Sequence, residues 1–124
     1  MKNPALQPAY EITEEKGILI GRLYRPIKVN EFREMLNDMK QAALKKKTNK
    51  LLIDAIKVDF NYLTLSQRHD WGLATAEILK GDFRGALIAQ KQFTLRHGEL
   101  VANNRGADVF VTHDEVEARE WLRK

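Results

Sequence analysis

The 124-residue chain predicts an α/β domain: a mostly parallel five-stranded sheet opened by an antiparallel hairpin and covered by four helices. Three observations carry this. Short apolar runs, LLID at 51–54 and GALIA at 85–89, are too brief for helices and fit strands buried on both faces. They alternate with longer segments of helical period, the order expected of β-α-β units joined by right-handed crossovers. A β-branched run at 107–111 then leads directly into a capped helix that ends on Glu120, Trp121 and Leu122. A terminal element so built is expected to dock on the fold.

The first two strands are expected at 10–13 and 18–24, with Glu14, Glu15, Lys16 and Gly17 as the hairpin connection. In the second, Ile18, Ile20 and Arg22 face one way and Leu19, Gly21 and Leu23 the other. Gly21 weakens a strand unless another group approaches its backbone closely. Pro26 ends this extended part. Asn30 offers a cap, with Glu31 and Glu34 in the first turn, for a helix over 31–46. Phe32, Met35, Leu36, Met39 and Ala43 form its apolar stripe, and its methionines read as core filler.

After the strand at 51–54, residues 55–63 form a loop in which Phe60 and Tyr62 close over the core. Thr64 and Gln67 make a capping box. The helix they start carries Trp71, Ala74, Thr75 and Ile78 on one face and stops at Lys80 and Gly81. Gly72 inside it costs near 1 kcal/mol in propensity and permits close packing. The next helix is expected over 92–104, with Phe93, Leu100 and Val101 available to the core and Gly106 ending it. For the last helix, Thr112 is the expected cap with Glu115 reciprocating, and Val111 and Val116 occupy staple positions. Ala118, Trp121 and Leu122 form its inward face.

Length allows one core, so residues 9–124 read as a single domain preceded by a flexible stretch over 1–8 that holds Pro4 and Pro8. The chain has no cysteine, which removes thiol nucleophiles, disulfides and cysteine-ligated metals. No continuous apolar segment marks a signal peptide or a transmembrane span, and a cytoplasmic setting is expected. The net charge of +4 resides in the first half, where residues 1–62 hold 12 basic and 8 acidic side chains against 9 of each in the remainder. Lys45, Lys46, Lys47 and Lys50 are the densest group. They complement a helix C-terminus, and the alternative is an anion-binding or phospholipid-facing patch. No aromatic residue interleaves with them, so nucleic acid is not an expected partner.

The element order, LLIDA at 51–55, FRGALIAQ at 83–90 and ADVFVTHDEVEAREWL at 107–122 resemble the small STAS-like (SpoIIAA-like) family. That family groups with the bacterial anti-anti-sigma factor and, more distantly, with lipid-carrying SEC14-type domains. The resemblance spans residues 10–123. It implies a SpoIIAA-like domain of two or three layers acting as a regulatory or protein-binding module without chemistry of its own. In the phosphorylated branch a serine just after the third strand is the switch. Here Ala55, Ile56 and Lys57 follow Asp54, and Thr64 and Ser66 come later at the helix start.

No residues assemble into an expected reaction centre. Ser66 and His69 share a helix side, and Asp54 ends its strand where open α/β sheets place ligands, but an orienting group and an oxyanion site are missing. His69, His97 and His113 are dispersed and form no HExxH, and the seven glycines are isolated, with no phosphate loop. No enzyme activity and no cofactor are expected. The candidate binding residues are Asp54, Phe60, Tyr62, Leu63, Thr64, Ser66 and His69, with Phe60, Tyr62 and Leu63 as anchors for a protein partner. A lipid or small apolar ligand is the alternative, and a homodimer is a further expectation.

Overall fold

The computed structural model describes residues 8–93 and 96–124. Over them the order is β1 (Tyr10–Glu15), β2 (Ile18–Leu23), α1 (Val29–Lys46), β3 (Lys50–Asp54), α2 (Leu65–Leu79), β4 (Arg84–Ile88), α3 (Arg96–Asn104), β5 (Asp108–Thr112) and α4 (Glu115–Arg123). The nine elements are those expected from the sequence. The flexible stretch expected over 1–8 falls, apart from Pro8, outside the described residues.

The hairpin is tighter than expected. β1 runs on through Glu15, and only Lys16 and Gly17 make the turn, both at positive φ of 52° and 80°. Two left-handed residues match the twist of antiparallel strands, and Gly17 adopts that region without the steric penalty of a Cβ. α1 starts two residues early because Glu31 Oε1 accepts from the Lys28 amide at 3.1 Å. Asn30 therefore sits inside the first turn and is not the cap. α3 is described from Arg96 onward. Gln92 and Phe93, expected to be helical, lie in a turn before it, and Thr94 and Leu95 lie outside the described residues.

Strands stand in sequence order, β1-β2-β3-β4-β5, with only the first pair antiparallel. Right-handed crossovers between successive neighbours must all pass over the same face. α1, α2 and α3 accordingly share one side, and α4, which connects to no further strand, covers the other. Alternation sorts the side chains: Leu19, Leu23, Leu51 and Ile53 join the three-helix side, whereas Ile18, Ile20, Leu52, Ala86 and Ile88 meet Ala118 and Leu122 of α4. Gly21 lies under α1, where an added Cβ would come within 2.8 Å of Met39 Sδ. The close approach expected there is the methionine's.

The last helix is capped differently from the sequence expectation. Thr112 stays in the sheet, paired with Ile88. Asp114 is the cap, its Oδ1 accepting from the amides of Val116 (2.9 Å) and Glu117 (3.3 Å). A carboxylate at a helix N-terminus is also favoured by the dipole. Glu117, not Glu115, answers Thr112, accepting its hydroxyl at 2.7 Å, while Glu115 pairs with Arg119. Val116 is 64% exposed, so there is no staple. At the C-terminus Arg84 fastens α4: its guanidinium donates to the carbonyls of Trp121 (3.0 Å) and Lys124 (2.9 Å), pairs with Asp108 and lies over the Trp121 ring.

β5 is an edge strand, and α3 takes three of its outward groups. Asn103 donates to the Val109 carbonyl at 3.0 Å and accepts from its amide at 2.9 Å, and Glu99 accepts from the Val111 amide at 2.6 Å.

Candidate functional site

The loop after β3 brings the expected binding residues to the carboxyl end of the sheet and divides them between core and surface. Phe60 is fully buried, edge-on to Trp71 (5.9 Å between centroids) and Phe93 (6.0 Å), and Trp71 stacks on Phe32 at 4.0 Å. Leu63 is buried with it. These two hold the loop and the start of α2 against α1 and do not reach solvent. Tyr62 is 38% exposed and ties the loop to the segment before α1, its hydroxyl donating to the Ile27 carbonyl (2.9 Å) and accepting from the Ile27 amide (3.2 Å). Burial pushes the Tyr62 phenol above its ordinary range, with the Ile27 bond acting in the opposite sense.

Thr64 and Gln67 form the expected capping box, Gln67 donating its amide to Thr64 Oγ1 at 3.1 Å and returning its side-chain oxygen to the Thr64 amide at 2.9 Å. Ser66 is exposed in the first turn of α2. Asp54, half-buried, accepts from the Ile56 amide at 3.2 Å and so holds its own loop. Among the described residues no hydrogen bond or ion pair joins Asp54, Ser66 and His69. His69 instead meets His97 of α3, Nδ1 to Nε2 at 3.4 Å. Those histidines are 28 positions apart in sequence, and only the packing of α2 on α3 brings them together.

Large apolar side chains are exposed at this end. Tyr24 follows β2 and Ile56 follows β3, neighbouring parallel strands whose last pair is Arg22 with Asp54. Tyr24 and Ile56 are 47% and 37% exposed, and Leu65 at the start of α2 is 65% exposed. Lys45, Lys46 and Lys47 stand in solvent at the opposite end, where α1 hands over to β3. Lys47 is the left-handed cap of α1, and none of Lys45, Lys46, Lys47 or Lys50 pairs with an acidic group among the described residues. The basic group and the apolar surface are thus separate features.

Sequence reasoning missed a second feature. α2 packs on α1 and α3 more than on the sheet, and beneath it lies a cavity of about 70 Å³ with an almost wholly apolar lining. Leu87, Val109 and Val111 line its floor and are only half-buried although they sit in the sheet. Gly85 adds no side chain to the floor. Arg68 and Glu99 are the charged groups at the wall, and Arg68 Nε is buried without a hydrogen-bond partner. The helical period placed Arg68 on α2, but nothing local foretold that its Nε would be buried without a partner.

The strands stand in sequence order throughout. Ligand crevices at strand carboxyl ends arise where strand order reverses, and this sheet has no reversal. Among the described residues no group of three or more His, Asp or Glu stands together in a way that could hold a metal. No helix there is long and apolar enough to cross a membrane.

No protein-family model matches the chain, and a search of curated proteins found no match. Among solved structures, the chain is similar to an anti-sigma factor antagonist from Mycobacterium paratuberculosis, with a TM-score of 0.59, 14% sequence identity, and 93% of each chain covered. At that identity the likeness is one of fold: a mostly parallel five-stranded sheet with an N-terminal hairpin and four helices, of SpoIIAA-like type.

Proposed function

We propose that this protein is a non-enzymatic regulatory module that binds another protein through the carboxyl end of its sheet. The observation that carries the reading is the exposure of Tyr24, Ile56, Tyr62 and Leu65, large apolar side chains of the segments that follow β2 and β3, beside buried Phe60 and Leu63. Large apolar side chains left in solvent at one end of a sheet are surface that a binding partner can cover. Similarity of fold to an anti-sigma factor antagonist supports the same reading, since that solved protein is named for antagonising another protein.

A photo-reactive residue placed at Leu65, compared with one at Val116 on the opposite helical layer, tests it in cells. The expected result is one partner trapped reproducibly at Leu65, absent at Val116 and lost when Ile56→Glu is added. Equal trapping at both positions, or none across growth conditions, overturns the reading.

A further inference from the structure

Strands β2 to β5 are parallel and so put their amino ends at one pole of the molecule. The turns that lead into them are tied together there. Thr48 Oγ1 donates to the Gly17 carbonyl at 2.5 Å, joining the turn after α1 to the hairpin tip. Asn49 donates to the Asp82 carbonyl at 2.9 Å, joining it to the turn after α2. Lys80 lies against the turn after α3, its Cβ 3.8 Å from where a Cβ on Gly106 would stand. Arg84, at the amino end of β4, holds the Lys124 carbonyl, so α4 ends at this pole too.

Each of these segments carries an exposed cation. Lys16 is on the hairpin tip, Lys45, Lys46 and Lys47 at the end of α1, Lys80 after α2, Arg105 after α3 and Arg123 at the end of α4. None forms an ion pair among the described residues. Of the carboxylates near these turns, Glu15 pairs with Arg119 and Asp108 with Arg84, which leaves Glu14, Asp82 and Glu120 outnumbered. Cations favour helix C-termini, but Lys16 caps no helix. Lys16 and Lys47 are also the two non-glycine residues at positive φ, 52° and 56°, among the described residues. Glycine or asparagine takes that conformation at less cost, so local stability does not explain a lysine at either turn.

Leu44, 56% exposed, precedes the lysines at the end of α1. Cations around an exposed apolar side chain suit a lipid headgroup layer, where charge attracts and the leucine enters the acyl boundary. Nucleic acid suits them less, because the exposed aromatic side chains that could stack on bases, Tyr24 and Tyr62, lie at the other end of the sheet.

We propose that the amino pole of the sheet docks the protein on an anionic lipid surface, held by the cations of these turns and by insertion of Leu44. The carboxyl end of the sheet then points away from the lipid, and neither surface needs the other.

Co-sedimentation of the full-length protein with vesicles tests the proposal. Binding is expected to vesicles of phosphatidylcholine and phosphatidylserine in equal parts and not to phosphatidylcholine alone. It should be lost as salt is raised to about 1 M, where charges are screened beyond about 3 Å. Each cation removed should weaken binding roughly five-fold. Lys16→Asn combined with Lys47→Gly should therefore weaken it about twenty-five-fold, with a urea midpoint no lower than the parent's because both turns are relaxed. Lys80→Gln combined with Arg105→Gln should do the same from the other turns. Lys57→Gln combined with Lys91→Gln removes equal charge at the carboxyl end and should change nothing. Leu44→Ser should weaken binding at constant charge. No binding to the phosphatidylserine vesicles at physiological salt, or an equal loss from the Lys57 and Lys91 pair, overturns the surface. Tighter binding to a DNA or RNA oligonucleotide than to the vesicles overturns the choice of partner, and unchanged binding of Leu44→Ser overturns the insertion. Cross-linking at Leu65 reports separately on the protein partner, so either reading can fail without the other.

Discussion

Replacing Gly72 by alanine should destabilise the protein even though alanine is the better helix former. An added Cβ at Gly72 would sit 2.7 Å from the Gly98 carbonyl oxygen and 2.8 Å from Val101 Cβ. Ordinary contact begins at 3.4 Å, so α2 and α3 would have to part by about 0.7 Å. The obstructing oxygen is backbone and cannot rotate aside. Overpacking of this kind costs about 1–3 kcal/mol, and with a rigid neighbour the upper part of that range applies. Alanine in a helix interior returns close to 1 kcal/mol, which leaves a net loss of about 1–2 kcal/mol. Gly98 supplies the control: its added Cβ would lie 3.1 Å from the Arg68 carbonyl, a deficit of about 0.3 Å that nearly cancels against the same propensity gain. Urea unfolding of both variants, read as midpoint at unchanged slope, should rank the unaltered protein and Gly98→Ala together and Gly72→Ala below them. Gly72→Ala as stable as the parent, or Gly98→Ala the worse of the two, would refute the close helix contact.

Asp114→Ala should lose about 1 kcal/mol, the ordinary worth of an N-cap, whereas Glu115→Ala should lose no more than about 0.5 kcal/mol as an exposed i,i+4 pair with Arg119; thermal unfolding separates them. Tyr62→Phe should cost about 1–3 kcal/mol in urea unfolding, because the amide and carbonyl of buried Ile27 lose their shared partner. Stability should fall as pH rises past about 10. Burial first, then the hydrogen bond to Asp38 and the nearby charges of Asp38 and Glu34, hold the Tyr10 phenol well above its ordinary range, and Tyr62 shifts in the same sense. The unfolded chain therefore loses these protons before the folded one does, and ionisation favours unfolding. Tyr10→Phe should flatten the alkaline fall in urea midpoint, and an unchanged slope would refute the assignment.

Element order was legible because each apolar run had a length and a period that admit one structure: LLID at 51–54 cannot make a helix turn of useful length, and the stripe from Phe32 to Ala43 cannot make a strand. Thr64 and Gln67 were legible because a capping box depends only on neighbours three residues apart. Thr112 misled for the complementary reason. Its strand pairing with Ile88 is long-range, so a local cap pattern could not reveal that the sheet would claim it and leave the cap to Asp114. Leu100 reads as core by composition but stands 62% exposed, since α3 turns Ala102 inward, a choice made by its packing partners. The same limit applied to the sites. Phe60 and Leu63 were identified as important, yet whether they face a partner or the core depends on Trp71 and Phe93. His69 beside His97 and the cavity beneath α2 arise from one helix crossing, which no spacing in the sequence encodes.

Asn103 and Glu99 spend their side chains on one margin of the sheet, and this limits how copies of the protein can associate. With Val109 bonded on both its amide and its carbonyl, and the Val111 amide engaged, no incoming strand finds a free ladder along β5, the usual hazard of an exposed margin. Among the described residues, the margin open to an assembly that lengthens the sheet from one molecule into the next is therefore β1. Two molecules can join in that manner, β1 against β1, but a third cannot be added, so association by this route closes at a pair and does not run on into a fibre.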